Sequence, residues 1–367
     1  MPPGMTPLEM EIRRRIAAAG PMPVEQYMAL CLGDPDHGYY ITRDPLGTRG
    51  DFVTAPEISQ MFGELIGLWT TAVWKQMGSP AMFHLVELGP GRGTLMKDVM
   101  RAVQVVPGFR EAAALQLIEI SPVLKAQQQR LLEPLGFAPT WHASLNEVPD
   151  GPAIIIANEF FDALPVAQAI KNADGWHARL VGLDADDRLV FTAAPDTLPY
   201  FERLLPPEVR GAPLQSIFEW RADNAAIDLG RRVYRSGGAA LVIDYGHIQS
   251  DVGDTLQAVG RHNFADPLST PGHVDLTAHV DFVWLKRATE TMGVKGYGPI
   301  EQAQFLRRLG IESRAATLKS KASRAVSAEI DAALARLTGG GRTGMGTLFK
   351  AAAFTHPSLG VPAGFEN

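Results

Sequence analysis

Two kinds of hydrophobic spacing divide this chain. Before residue 80 the apolar positions recur every three or four residues. Leu8, Ile12 and Ile16 share one helical face, Pro21 and Pro23 interrupt it, and Val24, Tyr27, Met28 and Leu30 continue it. A loop rich in Asp, Pro and Gly runs from Gly33 to Asp51. Ile58, Met61, Phe62, Leu65, Ile66, Trp69 and Val73 then form a stripe of helical period, closed by Gly78. Thr54 and Glu57 have capping-box spacing with Pro56 in the first turn, so one helix is predicted from Thr54 onward.

From 83 to about 290 short strand-like runs alternate with helical stretches, which predicts a parallel sheet covered by helices on both faces. The predicted strands are 83–88, 115–120, 138–141, 153–157 and 239–244. Between 157 and 239 the alternation stops. Val166–Lys171, Trp176–Leu183 and Arg188–Ala193 read as antiparallel strands, with a hairpin turn at Asp184–Asp187. Pro206, Pro207 and Pro213 mark irregular chain, and a helix at 221–235 leads into strand 239–244. The stretch of about 166–220 is thus an insertion on the edge of the sheet where open α/β folds bind ligands. A helix over 275–292, a charged helical segment over about 300–335 and a last strand, Thr347–Phe354, complete the pattern. The expected organisation is a helical cap over 1–80 and an α/β domain over 81–367.

Composition narrows the picture. The chain has 367 residues with 46% hydrophobic and 20% charged residues, which is ample for a large core. A net charge of −6 offers no electrostatic case for nucleic acid or an anionic membrane. Cys31 is the sole cysteine, so no internal disulfide and no cysteine-based zinc site can form. His247, His262, His273 and His279 lack metal-ligand spacing. No run approaches the roughly 20 apolar residues of a membrane span, and the first twenty residues lack a signal-peptide core. The location expected is cytoplasmic.

The chemistry concentrates at two strand ends. Phe83–Leu88 runs into Gly89-Pro-Gly-Arg-Gly93 and opens a helix at Thr94. Such a turn brings backbone close to a ligand, and the helix start offers free N–H groups. A dinucleotide fingerprint needs G-x-G-x-x-G. Here the third glycine comes a residue early and Glu87 precedes the first by two, an arrangement similar to that of S-adenosylmethionine methyltransferases. Glu119, at the end of the next strand, is placed to accept ribose hydroxyls. Without a ligand the same residues would be a tight turn and a solvated acid. The second strand end is Ala153–Asn158, followed by Glu159, Phe160, Phe161 and Asp162. Carboxylates and aromatic faces suit a cationic or amine acceptor; the alternative is helix capping by Asn158 and Asp162 over buried phenylalanines. Asp244 ends another strand, either closing the pocket or forming an Asx turn.

Asp34–Tyr40, Gly50–Glu64, Glu87–Gly93, Asn158–Pro165, Leu241–Gly246 and Asp275–Phe282 together resemble the MidA-type S-adenosylmethionine-dependent methyltransferases, over about residues 6–355. The resemblance implies a Rossmann-like, seven-stranded methyltransferase core with an N-terminal helical extension and a substrate-side insertion. The family's mitochondrial members are arginine methyltransferases that assist assembly of respiratory complex I. By analogy the acceptor is an arginine of a partner protein, a complex I-type subunit, converted to the symmetric dimethyl product. Glu159 stands where protein arginine methyltransferases carry a guanidinium-gripping glutamate, with Asp162 as its catalytic companion. The cofactor set implied is Glu87, Gly89, Pro90, Gly91, Gly93, Thr94, Glu119, Ile120, Ser144 and Asn158. The substrate set is Asp51, Thr54, Glu57, Phe160, Asp244 and His262, with Asp51 and Phe52 leading a lid over the cofactor. A cofactor-holding assembly chaperone without turnover and a small-molecule methyltransferase are the competing readings; a dehydrogenase is the weakest.

Overall fold

The computed structural model describes residues 5–42, 54–260, 263–341 and 344–366. Contacts group the chain into two compact units. One comprises Val53–Phe161, Asp223–Ile248 and Phe282–Asn367; the other comprises Met1–Phe52, Asp162–Ala222 and Gln249–Asp281.

The first unit holds the central sheet. Its strands are β1 (Phe83–Leu88), β2 (Ala113–Ile118), β3 (Thr140–His142), β4 (Ala153–Asn158), β5 (Gly238–His247), β6 (Lys295–Glu301) and β7 (Phe349–Thr355). Their order across the sheet is β6-β7-β5-β4-β1-β2-β3. Neighbours from β5 to β3 are parallel, and β7 runs antiparallel to both β5 and β6. Every residue of β1 and β4 is buried, as their largely apolar runs predict for strands covered on both faces. The parallel order brings the carboxyl ends of β1 to β5 to one edge, where the acidic residues gather.

Helices Gln60–Gln76 and Thr94–Ala102 cover this sheet with Phe62, Leu65, Ile66, Trp69, Leu95, Met96, Val99 and Met100 in one core. The single helix predicted from Thr54 is in fact two. Ala55–Ile58 ends at Ser59, which is extended, and the Ser59 hydroxyl accepts the Met61 N–H to start Gln60–Gln76. The Thr54 side chain makes no capping bond. A serine that caps a new helix competes locally with continuing the old one, and the apolar stripe runs on across the break.

The second unit contains the inserted strands. Ala167–Asn172, Gly175–Leu183, Leu189–Thr197, Ile217–Trp220 and Met22–Pro23 form a five-stranded sheet, close to the predicted strands, with Ile217–Trp220 an addition. Asp184 closes the predicted hairpin by accepting the Asp186 and Arg188 N–H groups. Leu8, Ile12 and Ile16 pack with Tyr27, Met28, Cys31 and Val181 in this unit's core. The helix predicted over 275–292 is a correction. Asp275–Thr277 is a buried strand paired with Gln257–Val259, and helix begins only at Phe282. Tertiary pairing overrides the local pattern there. The charged segment over 300–335 is three helices, Gln302–Arg308, Ile311–Lys319 and Arg324–Thr338, broken at left-handed Gly310 and at 320–323.

One helix contact is unusually close. A Cβ added at Gly63 would lie 2.6 Å from the Asp98 Cβ. Alanine normally stabilises a helix interior by about 1 kcal/mol over glycine, whereas overpacking costs about 1–3 kcal/mol. Gly63→Ala is therefore expected to lower the urea midpoint; a rise would show that the two helices separate freely.

Candidate functional site

The site begins where β1 ends. Gly89, Gly91 and Gly93 all have left-handed φ values, +60°, +55° and +85°, which other residues adopt at a cost. At Gly89 a Cβ would also meet the Phe160 ring at 3.0 Å. Gly93 caps the helix Thr94–Ala102, and its N–H donates to the Pro90 carbonyl at 2.8 Å.

Gln128 braces this loop, and sequence reading missed it. Its side-chain amide donates to the Gly91 carbonyl at 2.6 Å and to Glu119 Oε2 at 3.2 Å. Its oxygen accepts the Trp141 indole N–H at 2.7 Å. Gln128 is fully buried between Leu124 and Leu132 on the inner face of helix Pro122–Leu132. A polar residue in an apolar stripe was the available signal.

Two carboxyl groups face different surroundings. Glu119, after β2, accepts the Ser121 N–H at 2.8 Å as well as the Gln128 amide. Burial still pushes its pKa upward. Glu87 is 3% exposed, and its Oε2 has no hydrogen-bond partner among the described residues. Burial, and secondarily the Glu119 carboxylate, push its pKa up to about 8. The Asn158 Oδ1 is likewise buried with no partner among the described residues. Ile120 is an exposed apolar side chain beside Glu119. Ser144, beyond β3, lies 3.4 Å from the Glu147 carboxylate.

This arrangement fits an amino-acid-bearing nucleoside. Orphaned buried oxygens at Glu87 and Asn158 suit cationic or N–H donors, the left-handed glycine turn admits close approach, and Glu119 retains acceptor capacity beyond its two bonds.

Glu159 follows β4 with φ +51°, a left-handed value uncommon outside glycine. Its N–H donates to the Ile243 carbonyl at 2.9 Å. Its Oε1 accepts the Ala55 N–H and the Asn158 side-chain amide, both at 3.1 Å. Helix Ala55–Ile58 thus receives at its N-terminus a carboxylate from another strand end. Glu57, expected to complete a capping box, instead accepts the Thr94 hydroxyl at 2.6 Å. The alternative of helix capping by Asn158 and Asp162 does not apply, because no helix starts there.

Asp244 is fully buried, and its carboxylate accepts the N–H groups of Phe160 (3.2 Å), Phe161 (2.9 Å) and Tyr245 (2.9 Å). Phe160 and Phe161 meet edge to face, 5.4 Å between ring centres. The structure therefore brings Thr54, Glu57, Glu87, Gly89–Thr94, Glu119, Asn158, Glu159, Phe160 and Asp244 into one unit. Asp162 belongs to the other, where its carbonyl accepts from Ala278 and Arg221. Asp51 and His262 lie outside the described residues.

Residues 65–300 match a protein-family model described as "Putative S-adenosyl-L-methionine-dependent methyltransferase". The chain is 39% identical over 338 residues to the mitochondrial protein arginine methyltransferase NDUFAF7 homolog of Drosophila melanogaster, covering 84% of this chain and 76% of that one. It is 36% identical over 345 residues to mitochondrial protein arginine methyltransferase NDUFAF7 of Homo sapiens, covering 87% and 77%. A Burkholderia thailandensis protein crystallised with S-adenosyl-homocysteine bound shares its architecture, with a TM-score of 0.84, 28% identity and coverage of 97% and 93%.

Glu87 yields a pH prediction. Unfolded, its carboxyl ionises near 4.5; folded, it holds its proton up to about 8. Between those values the folded chain binds the extra proton, so this group makes stability fall as pH rises. Glu87→Gln should flatten the fall measured by urea unfolding from pH 5 to pH 8 without cofactor. Parallel curves for the two proteins would remove Glu87 as its source.

Proposed function

This chain belongs to the family of S-adenosyl-L-methionine-dependent methyltransferases, and from that membership we propose that it methylates arginine on a partner protein. The product we infer is symmetric dimethylarginine, and the acceptor a subunit of a respiratory complex I-type assembly. Two relatives named protein arginine methyltransferases support the arginine reading. Among the described residues no helix is long and apolar enough to cross a membrane.

The cofactor supplies a methyl group activated on a sulfonium. In this reading Gly89, Pro90, Gly91, Gly93 and Thr94 shape the pocket for its methionine end, with Glu87 and Asn158 behind them. Glu119 takes the ribose hydroxyls, and Ile120 and Ser144 flank the base. The glycine turn offers a close backbone approach, Glu87 and Asn158 each an oxygen without a partner among the described residues, and Glu119 a carboxylate with acceptor capacity left.

The observation that carries the acceptor assignment is the Glu159 carboxylate at a left-handed bend closing β4. A guanidinium is planar and cationic, and it pairs with both oxygens of a carboxylate. Glu159 Oε1 already holds two N–H donors, so a guanidinium engaging both oxygens displaces one of them. The Ala55 amide is the more readily replaced, because it opens a helix of only four residues. Thus bound, the acceptor nitrogen is fixed in direction, and the carboxylate favours loss of its proton as the methyl arrives. Phe160 offers an aromatic face to the same cation. Thr54 and Glu57 complete the proposed substrate set within this unit.

Glu159→Gln keeps the shape and removes the charge. Transfer of labelled methyl from S-adenosylmethionine into proteins of an extract lacking this chain should fall about 10³-fold, the scale of losing one transition-state electrostatic partner. The Kd for S-adenosyl-homocysteine, read by calorimetry, should stay within about 3-fold, since that interaction is made to the acceptor. Loss of both together would assign Glu159 a structural role. Acid hydrolysis of the labelled protein should release methylarginine; label in lysine or in small molecules would overturn the acceptor class.

A further inference from the structure

At the ligand edge, Asp244 accepts three backbone amides. It is fully buried on β5, beside β4, with Ile243 in register with Asn158. One oxygen accepts the amides of Phe160 and Phe161, the other that of Tyr245. The preceding residue, Ile243, accepts the Glu159 amide at 2.9 Å. Three consecutive amides, those of 159, 160 and 161, are therefore held by two consecutive residues of β5.

The held bend is a costly one. Glu159 has φ +51° without being glycine, and such a conformation persists only where its surroundings over-determine it. A carboxylate suits this task better than an amide. It offers acceptor positions on both oxygens, whereas an asparagine would turn an NH2 group toward either Tyr245 or the two phenylalanine amides, donor against donor. The buried charge is in turn offset by three N–H groups. The bend has two outputs. It sets the direction of the Glu159 side chain, and it lays the Phe160 ring against Gly89, the first glycine of the cofactor loop.

The geometry points to Asp244 as a positioning residue for methyl transfer: through the amides of Phe160 and Phe161, its carboxylate holds the bend that aims Glu159 at the acceptor. The assignment rests on Glu159 as the acceptor-binding carboxylate. Asp244 itself is not placed against the substrate; it acts one bond removed.

The test compares Asp244→Asn, Glu159→Gln and the double variant in the full chain. Asp244→Asn should slow labelled methyl transfer about 100-fold with the Kd for S-adenosyl-homocysteine within about 3-fold. Amide hydrogen exchange at Phe160 and Phe161 should accelerate at least 10-fold, while Ile155 and Leu241 in the strands stay protected. Because Asp244 works through Glu159, the double variant should transfer within about 3-fold of Glu159→Gln alone. Multiplied losses, a wild-type rate for Asp244→Asn, or ligand affinity falling in step with rate would each overturn the proposal. An active Glu159→Gln would instead refute the acceptor reading beneath it. If Asp244→Asn does not fold, an amide-to-ester replacement at Phe161 removes one donor and leaves the aspartate in place. It should slow transfer at least 10-fold; an unchanged rate would overturn the proposal.

Discussion

Carboxylates at the ends of parallel strands must find hydrogen-bond donors or remain at a cost, and that constraint organises this molecule's ligand edge. Buried ionised oxygens are tolerated when amides surround them. Asp244 is satisfied by three backbone N–H groups, Glu119 by one backbone and one side-chain donor, and Glu159 by a helix amide and its neighbour Asn158. Glu87 keeps one oxygen without a partner among the described residues. The degree of satisfaction separates roles. Asp244 gives its oxygens to a turn, whereas Glu87 keeps an acceptor that the described residues do not use.

The short helix Ala55–Ile58 shows how one edge serves several elements. Its first turn is held by carboxylate contacts rather than by its own capping box. Glu159 receives the Ala55 amide, and Glu57 receives the Thr94 hydroxyl at the start of the helix that follows the glycine loop. Each bond links Ala55–Ile58 to a residue beside the proposed ligand site.

Family membership and local geometry contribute different things. Membership supplies the cofactor and the reaction type. The geometry supplies the division of labour: a braced glycine loop, a hub at Gln128, and a bend at Glu159 slung from β5. Among the described residues no group of side chains is arranged to hold a metal ion, and Cys31 is buried with its thiol pKa pushed up to about 12 by that burial.

Much of this was legible in the chain. The runs Phe83–Leu88 and Ala153–Asn158 are mostly apolar because both faces of a parallel strand are covered, and that pattern is a local property. The glycines at 89, 91 and 93 mark left-handed backbone for the same local reason. What sequence could not decide depends on residues distant in the chain. Thr54 and Glu57 have capping-box spacing, yet Glu57 turns to Thr94 and the helix breaks at Ser59. Asp275–Thr277 continues a helical pattern on paper but pairs with Gln257–Val259 as strand. Gln128 stands as a polar residue in an apolar stripe, and only the fold shows that Gly91, Glu119 and Trp141 converge on it. Asp244 reads equally as ligand group or turn former until Phe160 and Phe161 are seen to spend its oxygens. The pattern of side chains determines which segments are buried and where the backbone must bend; only the folded chain determines which donor reaches which acceptor, because hydrogen-bond partners are set by distance in space.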